Sequence, residues 1–223
     1  MKRAINLISV IGFMSIVLAG CATPTPSDYS LFRSEAPRSI LVLPALNNTS
    51  EVTAADWFLS TVTAPVAERG YYVFPANMVR GALNDSGLSD AGLVHKVDAR
   101  RLQPLFGCDS ALFIDISKWN SQYLVIRTNT DVALEYELRS CKTNAVLWKN
   151  KQELTYSPQA SGSGLGALIA QAIVSAIEKA APSYMPLARQ ANLAAALTPG
   201  HGLPAGPYRP SEIGRDANIF PSK

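Results

Sequence analysis

Ser39-Ile40-Leu41-Val42-Leu43-Pro44-Ala45-Leu46 is a continuous apolar run, the pattern of a strand covered on both faces. Pro44 lacks an N–H and ends regular pairing near the end of the run. Asn47-Asn48-Thr49-Ser50 follows as a loop with capping residues. Residues 53–69 then read as a helix, with Trp57, Phe58, Thr61, Val62, Pro65 and Val66 near one face. Pro65 is expected to kink that helix or end it early. Gly70 closes it, Tyr71 to Phe74 gives a second short strand, and Ala76 to Leu83 a second helix. Asp98 is placed to cap a third helix, Ala99 to Phe106, with Gly107 at its end. This strand–helix alternation predicts parallel strands flanked by helices.

Further on, the period changes. Ser110 to Lys118 puts Leu112, Ile114 and Ile116 on one face, Asn120-Ser121-Gln122 reads as a turn, and Tyr123 to Ile126 returns. Val132, Leu134, Tyr136 and Leu138 alternate with Ala133, Glu135, Glu137 and Arg139, a half-buried strand. Lys142-Thr143-Asn144 is a hairpin turn, and Val146 to Tyr156 alternates again, with Lys149, Lys151 and Glu153 on the polar side. These are antiparallel meander strands with one solvated face. The fold class is therefore α/β, with a mixed sheet that is parallel in its first half and an antiparallel meander in its second.

After a Gly/Ser joint at 161–166, Leu165, Leu168, Ile169, Ala172, Ile173, Ala176 and Ile177 keep helical spacing. The opposite side, with Ala170 and Val174, is small and weakly polar. Such a helix is expected to be buried twice, once by its own sheet and once by a partner, which makes Leu165, Ala170, Ile173, Val174 and Ile177 a candidate interface. Leu187 to Leu197 is a second Ala-rich helix. From Thr198 the chain is rich in Pro and Gly and reads as extended coil.

Lys2 and Arg3 precede an apolar stretch from Ala4 to Leu18, then Ala19, Gly20 and Cys21, the build of a secretory signal peptide. Its apolar run of about 15 residues falls short of the ~20 that span a bilayer. Leu18-Ala19-Gly20-Cys21 resembles a bacterial lipobox, which implies cleavage before Cys21 and acylation of its thiol and new amine; two or more chains anchor a protein stably. Ala22, where an inner-membrane-retained lipoprotein would carry Asp, points to the outer membrane. The chain divides into a signal peptide at 1–20, lipidated Cys21 with a tether to 37, an α/β domain with C-terminal helices at 38–197, and a tail at 198–223. Tyr29, Leu31 and Phe32 suggest that the middle of the tether docks.

Removing residues 1–20 leaves about 203 of 223 residues and lowers the formal charge from +3 to about +1, since Lys2 and Arg3 go with it. With no basic block, nucleic acid is not an expected partner. Gly162-Ser163-Gly164-Leu165-Gly166-Ala167 fits a dinucleotide fingerprint, but Tyr156 to Ser161 is loop rather than strand and Glu178 lies mid-helix, so no cofactor is expected. His95 and His201 are the only histidines and converge with no other ligand types, so no metal is expected. Asp115, mid-strand among apolar residues, is conceivable as a buried general acid, though such a residue more often faces a helix N-terminus or the open side of a sheet. Glu135, Glu137 and Glu153 face Arg139, Lys149 and Lys151 as cross-strand charge pairs.

Cys108 and Cys141 invite a disulfide in an oxidising compartment, worth roughly 3–4 kcal/mol in the chain-entropy model. A turn at Asn120–Gln122 carries Cys141 past Cys108 by about seven residues, well beyond bonding reach at ~3.3 Å per residue. A break at Thr128 to Asp131 would bring the two together, so the residues leave both states open.

Pro37 to Pro44 with Asn47 to Ser50, Gly70-Tyr71-Tyr72-Val73-Phe74-Pro75, Trp119 to Tyr123, Tyr136-Glu137-Leu138 with Lys142-Thr143 and Trp148, Pro186 to Asn192 and Leu203 to Pro210 together resemble a family. It comprises bacterial lipoproteins of unknown function related to a meningococcal surface-antigen lipoprotein, and the likeness covers nearly the whole mature chain. The resemblance implies a domain similar to the N-terminal domain of TolB and to the periplasmic domain of the curli-secretion lipoprotein, and transfers no catalytic residues. The expectation is a non-enzymatic lipoprotein on the periplasmic face of the outer membrane, part of an envelope transport or cell-surface assembly. It would contact itself and other envelope lipoproteins. The alternative is a periplasmic ligand or peptidoglycan binder using the cleft near Asn47 to Ser50.

Overall fold

The computed structural model describes residues 27–124, 127–156 and 185–221. Its centre is one mixed sheet in the order β3-β1-β4-β5-β6, with β2 also paired to β4. The strands are β1 (Ser39–Val42), β2 (Leu46–Asn47), β3 (Tyr72–Val73), β4 (Ser110–Leu124), β5 (Arg127–Ser140) and β6 (Val146–Tyr156). β1 runs parallel to both β3 and β4, and the β4–β5–β6 meander is antiparallel. The two halves predicted from the change of period are both present.

β1 and β2 lie on the same side of β4. Val42 pairs with Leu112 and Leu46 with Asp115, so the run around Pro44 holds one residue more than the strand beside it. Proline has no N–H to give the ladder, and the extra residue bulges there before pairing resumes. A second bulge decides the core. Ile116 pairs with Leu134 and Lys118 with Ala133, leaving Ser117 extra. The side-chain parity switches, and Trp119 joins Leu112, Ile114 and Ile116 in the core, where strict alternation would have sent Lys118.

The turn expected at Asn120–Gln122 is not there. Those residues pair within β4, Asn120 with Asp131 and Gln122 with Asn129, and the register continues to Leu124 opposite Arg127. Asn-Ser-Gln has no glycine to supply the left-handed backbone of a tight hairpin, and the longer hairpin sets Trp119 across from Val132. The later turn also moves Cys141 back beside Cys108.

One face of the sheet is covered by α2 (Ala54–Glu68) and α6 (Met185–Leu197). Phe58, Val62 and Val66 of α2 and Leu187, Ala188, Ala191 and Ala195 of α6 pack on Ile40, Leu134, Leu138 and Trp148. α2 continues through Pro65 to Glu68 rather than ending early. A buried polar link ties these layers together. The Tyr136 hydroxyl donates to Asn192 Oδ1 (2.9 Å), and Asn192 Nδ2 donates to the Thr61 hydroxyl (2.9 Å). Among the described residues, the opposite face is covered over β1 and the start of β4. There Leu41, Leu43, Ala111 and Phe113 meet Val79 and Leu83 of α3 (Ala76–Asp85) and Val94 of α4 (Ala91–His95). Asp98 caps a 3-10 turn, Ala99–Arg101, that leads into α5 (Gln103–Phe106), and Gly107 ends it with φ +66°.

Both ends of the described chain depart from extended coil. α1 (Ser30–Glu35) buries Tyr29 and Phe32 in the main core while Leu31 stays 44% exposed, so the chain is docked from Ser27 onward. The C-terminal stretch stays irregular only to Arg209 and then forms α7 (Pro210–Ile219). Pro210 at the first turn gives up an N–H that has no intrahelical partner anyway, and 211–219 holds no further proline. Leu203 and Phe220 enter the main core. Arg69 and Asp216, 7% and 4% exposed, form a buried ion pair that ties this C-terminal strap, residues 203–221, to the body. Gly206 and Gly70 touch so closely that a Cβ on Gly206 would sit 2.2 Å from the Gly70 carbonyl oxygen.

Candidate functional site

The uncovered half of the sheet forms the floor of an open cleft of about 450 Å³. Strand alternation puts Phe113 and Asp115 of β4, Glu135, Glu137 and Arg139 of β5, and Lys149 and Lys151 of β6 on that side, and the end of α4 adds His95. The register sets Asp115 beside Glu135, Glu135 beside Lys151, and Glu137 beside Lys149. The face is therefore dipolar, with acids on β4 and β5 and lysines on the outer strand.

The charges are paired among themselves, as the alternation predicts. Glu137 accepts from Arg139 Nε (2.5 Å) and Lys149 Nζ (2.8 Å), and Lys151 Nζ meets Glu153 (2.9 Å) and Glu135 (3.6 Å). Burial alone would raise the Glu137 carboxyl, but the hydrogen bonds from Lys149 and Arg139 outweigh it and hold it below the ordinary range. The Arg139 guanidinium also lies over the Phe113 ring, 4.7 Å from its centroid. Exposed pairs of this kind contribute less than about 1 kcal/mol each; their consequence is a surface of fixed charge pattern.

Half-buried His95 stands edge-on to Phe113, ring centroids 5.6 Å apart, with Nε2 3.1 Å from the Pro44 carbonyl. Desolvation lowers its pKa, against the opposing pull of the Pro44 carbonyl and nearby Asp115. His95 ends α4 and walls the cleft. Neither hydrophobic period nor spacing signals this, because it depends on α4 crossing behind Pro44. Asp115 faces the open side, and its two carboxylate oxygens accept from Asn48 Nδ2 at 2.9 and 3.0 Å. It is a rim residue rather than a buried acid. Asn47 is consumed by its own turn: Oδ1 accepts from the Thr49 N–H and hydroxyl, and Nδ2 donates to the Glu51 carbonyl.

Cys108 and Cys141 are bonded, with Cα atoms 6.0 Å apart. The Cys141 N–H donates to the Asp109 carbonyl (2.8 Å), so the disulfide closes the smaller core where β5 ends. Cys21 and the candidate interface of Leu165, Ala170, Ile173, Val174 and Ile177 lie outside the described residues. Among the described residues, no three His, Cys, Asp or Glu side chains gather as a metal-ligand set, and no helix is long and apolar enough to cross a membrane.

A model of GNA1162-like lipoproteins matches residues 27–207. Lipoprotein NMB1124/NMB1162 of Neisseria meningitidis serogroup B is 32% identical over 150 residues, 67% of this chain and 70% of that protein. The crystal structure of lipoprotein GNA1162 from Neisseria meningitidis superposes with a TM-score of 0.55 at 30% identity, covering 65% of this chain and all of that one. A PelC dodecamer from Paraburkholderia phytofirmans gives a TM-score of 0.40 at 16% identity, covering 73% of this chain and 92% of that one.

Proposed function

We propose, for a chain that belongs to the GNA1162-like lipoprotein family, that it is held on the periplasmic face of the outer membrane by acylated Cys21 and acts without catalysis, as a protein-binding component of an envelope transport or surface assembly. The observation that carries this reading is the half-covered sheet. Among the described residues, helices pack on one face, whereas β5 and β6 present a broad, charge-patterned cleft on the other. Its acids and bases neutralise one another, which suits recognition of a complementary protein surface. The helix expected from the sequence at 165–177 would offer a second contact, to another copy or a neighbouring lipoprotein.

Palmitate incorporation that disappears in Cys21→Ala, together with outer-membrane fractionation of the wild type, is the expected result. Label that persists in Cys21→Ala would undo the anchoring reading. Glu137→Lys with Lys149→Glu, and separately Ala170→Glu with Val174→Glu, are each expected to release co-purifying envelope lipoproteins while circular dichroism stays native.

A second reading, a peptidoglycan or ligand binder, is favoured by Asn48 and Asp115 at the cleft rim. Asn47, committed to its turn, contributes shape only. Binding to isolated peptidoglycan that is lost in Asn48→Ala would support it.

A further inference from the structure

We infer that the corner formed by Tyr29, Arg33 and Arg69 is a binding site for a helix end that carries a carboxylate and, four residues later, an aromatic ring. Its resident ligand is the chain's own α7, and the site exchanges that ligand for the same segment of a second copy. Neither part depends on how Cys21 is anchored.

α7 touches the body at few points. Of residues 210–220 only Asp216 and Phe220 are buried. They stand one helical turn apart on one face, the Phe220 N–H donating to the Asp216 carbonyl (2.8 Å). Before Asp216 the helix stands clear, and a Cβ on Gly214 would meet nothing within 4 Å. A helix of 10 residues is marginal by itself, and a glycine in its interior weakens it further. The order of α7 therefore comes from the corner in which it sits.

That corner sets the chemistry of what fills it. Asp216 Oδ2 accepts from Arg69 Nη2 and from the Ala205 N–H. The Phe220 ring is held between the Arg69 guanidinium, 5.6 Å from its centroid, and the edge-on Tyr29 ring at 5.4 Å, while Arg33 Nη2 donates to the Phe220 carbonyl (2.5 Å). A buried arginine left without an anion is strongly destabilising. Any segment that replaces α7 must therefore bring a carboxylate, and the seat between Tyr29 and Arg69 places the aromatic ring one turn on.

A second copy carries the sequence that this seat already fits, and exchanged segments make the same contacts between copies as within one. The strap before α7 has bonds of its own: Gly206 N–H to the Arg69 carbonyl (2.7 Å), Tyr208 N–H to the Gly70 carbonyl (3.1 Å) and Arg209 Nη1 to the Glu68 carbonyl (2.7 Å). α7 thus turns about Arg209. Within one chain the short connection keeps the ligand at an effective concentration on the order of millimolar, so exchange belongs to crowded copies and shows most clearly once the resident ligand is weakened.

The test uses the full-length mature chain with Asp216→Asn and Phe220→Ala, which spoils the ligand and leaves the seat, and a labelled peptide of residues 209–223. Phe220→Ala alone serves if the double variant fails to fold. Saturable binding is expected, and a peptide with Asp216→Asn should bind at least about a hundredfold more weakly. Where amide exchange shows 210–221 released, the absence of saturation at about 1 mM peptide, or equal binding of the two peptides, overturns the site. Mixing the same variant with full-length Arg69→Met, which keeps the ligand and spoils the seat, should give a 1:1 heterocomplex in native mass spectrometry. Its absence while the peptide binds overturns the exchange between copies.

Discussion

Replacing Asp216 by Asn tests what holds the C-terminal strap. The Asp216 Oδ2 accepts from Arg69 Nη2 and from the Ala205 N–H, while Arg69 Nε donates to the Leu203 carbonyl (2.7 Å) and its guanidinium lies 5.6 Å from the Phe220 ring centroid. Asparagine keeps the shape and can still accept from Ala205, so the substitution isolates the charge. With Arg69 nearly sealed from solvent, an uncompensated guanidinium there costs about 3–5 kcal/mol, the range for breaking one side of a buried pair. At a urea m-value near 2 kcal/mol/M, a global loss of that size lowers the midpoint by about 1.5–2.5 M. If only the strap opens, amide exchange over 203–221 accelerates by roughly 10²–10³-fold or more, with the sheet unaffected. Arg69→Met combined with Asp216→Leu should recover most of the loss, because removing both charges leaves nothing unpaired. A loss below about 1 kcal/mol by both measurements would falsify the claim that this pair fastens the strap.

Reducing the Cys108–Cys141 bond, or replacing both cysteines by serine, closes off the constraint on a 33-residue separation and should lower stability by about 3–4 kcal/mol, seen as a urea midpoint that falls on adding reductant. Gly206→Ala should loosen the strap by at least about 1–3 kcal/mol, since its Cβ meets the Gly70 carbonyl at 2.2 Å and neither backbone can yield cheaply; unchanged exchange over 203–209 would contradict that. His95 has its folded pKa depressed below the ordinary 6.5 by desolvation, so the unfolded state binds its proton first. It therefore has no effect above about pH 6.5, and stability declines as pH falls from there through the folded value. His95→Gln should flatten the dependence of the urea midpoint between neutral pH and the carboxylate range.

The core was legible wherever a single period held. Ser39 to Val42 reads as a buried strand because β1 is covered on both faces, and Val132 to Leu138 because one face of β5 meets the helices and the other meets water. Legibility failed where the period was broken. The bulge at Ser117 puts Trp119 rather than Lys118 in the core, which hides the continuation through Asn120–Gln122 and left the disulfide undecided. The C-terminal helix was masked by the prolines before it. The paired charges of the open face could be read from alternation alone, but His95 in its wall could not, because the folded topology alone brings α4 against Pro44 and Phe113.

The strap and the anchor are mechanically one device. From Ser27 to Arg33, the described hydrogen bonds to the rest of the chain run almost entirely to 200–221: Ser27 to Gly200, the Tyr29 hydroxyl to Gly202 (2.8 Å), the Tyr29 N–H to Pro221 (3.3 Å) and Arg33 Nη2 to Phe220 (2.5 Å). Tyr29 also packs edge-on to Phe220, centroids 5.4 Å apart, and burial there pushes its phenol up to about 12. The strap and the N-terminal segment therefore stabilise each other, while Phe32 against Tyr71 and Glu35 on the Ser140 and Thr143 hydroxyls hold the segment's far end to the sheet. If Asp216→Asn opens 203–221, Tyr29 and Arg33 lose Pro221 and Phe220, so amide exchange at 29–33 should accelerate together with that over 203–221. Exchange at 29–33 that stays at the wild-type rate while 203–221 opens would refute the coupling.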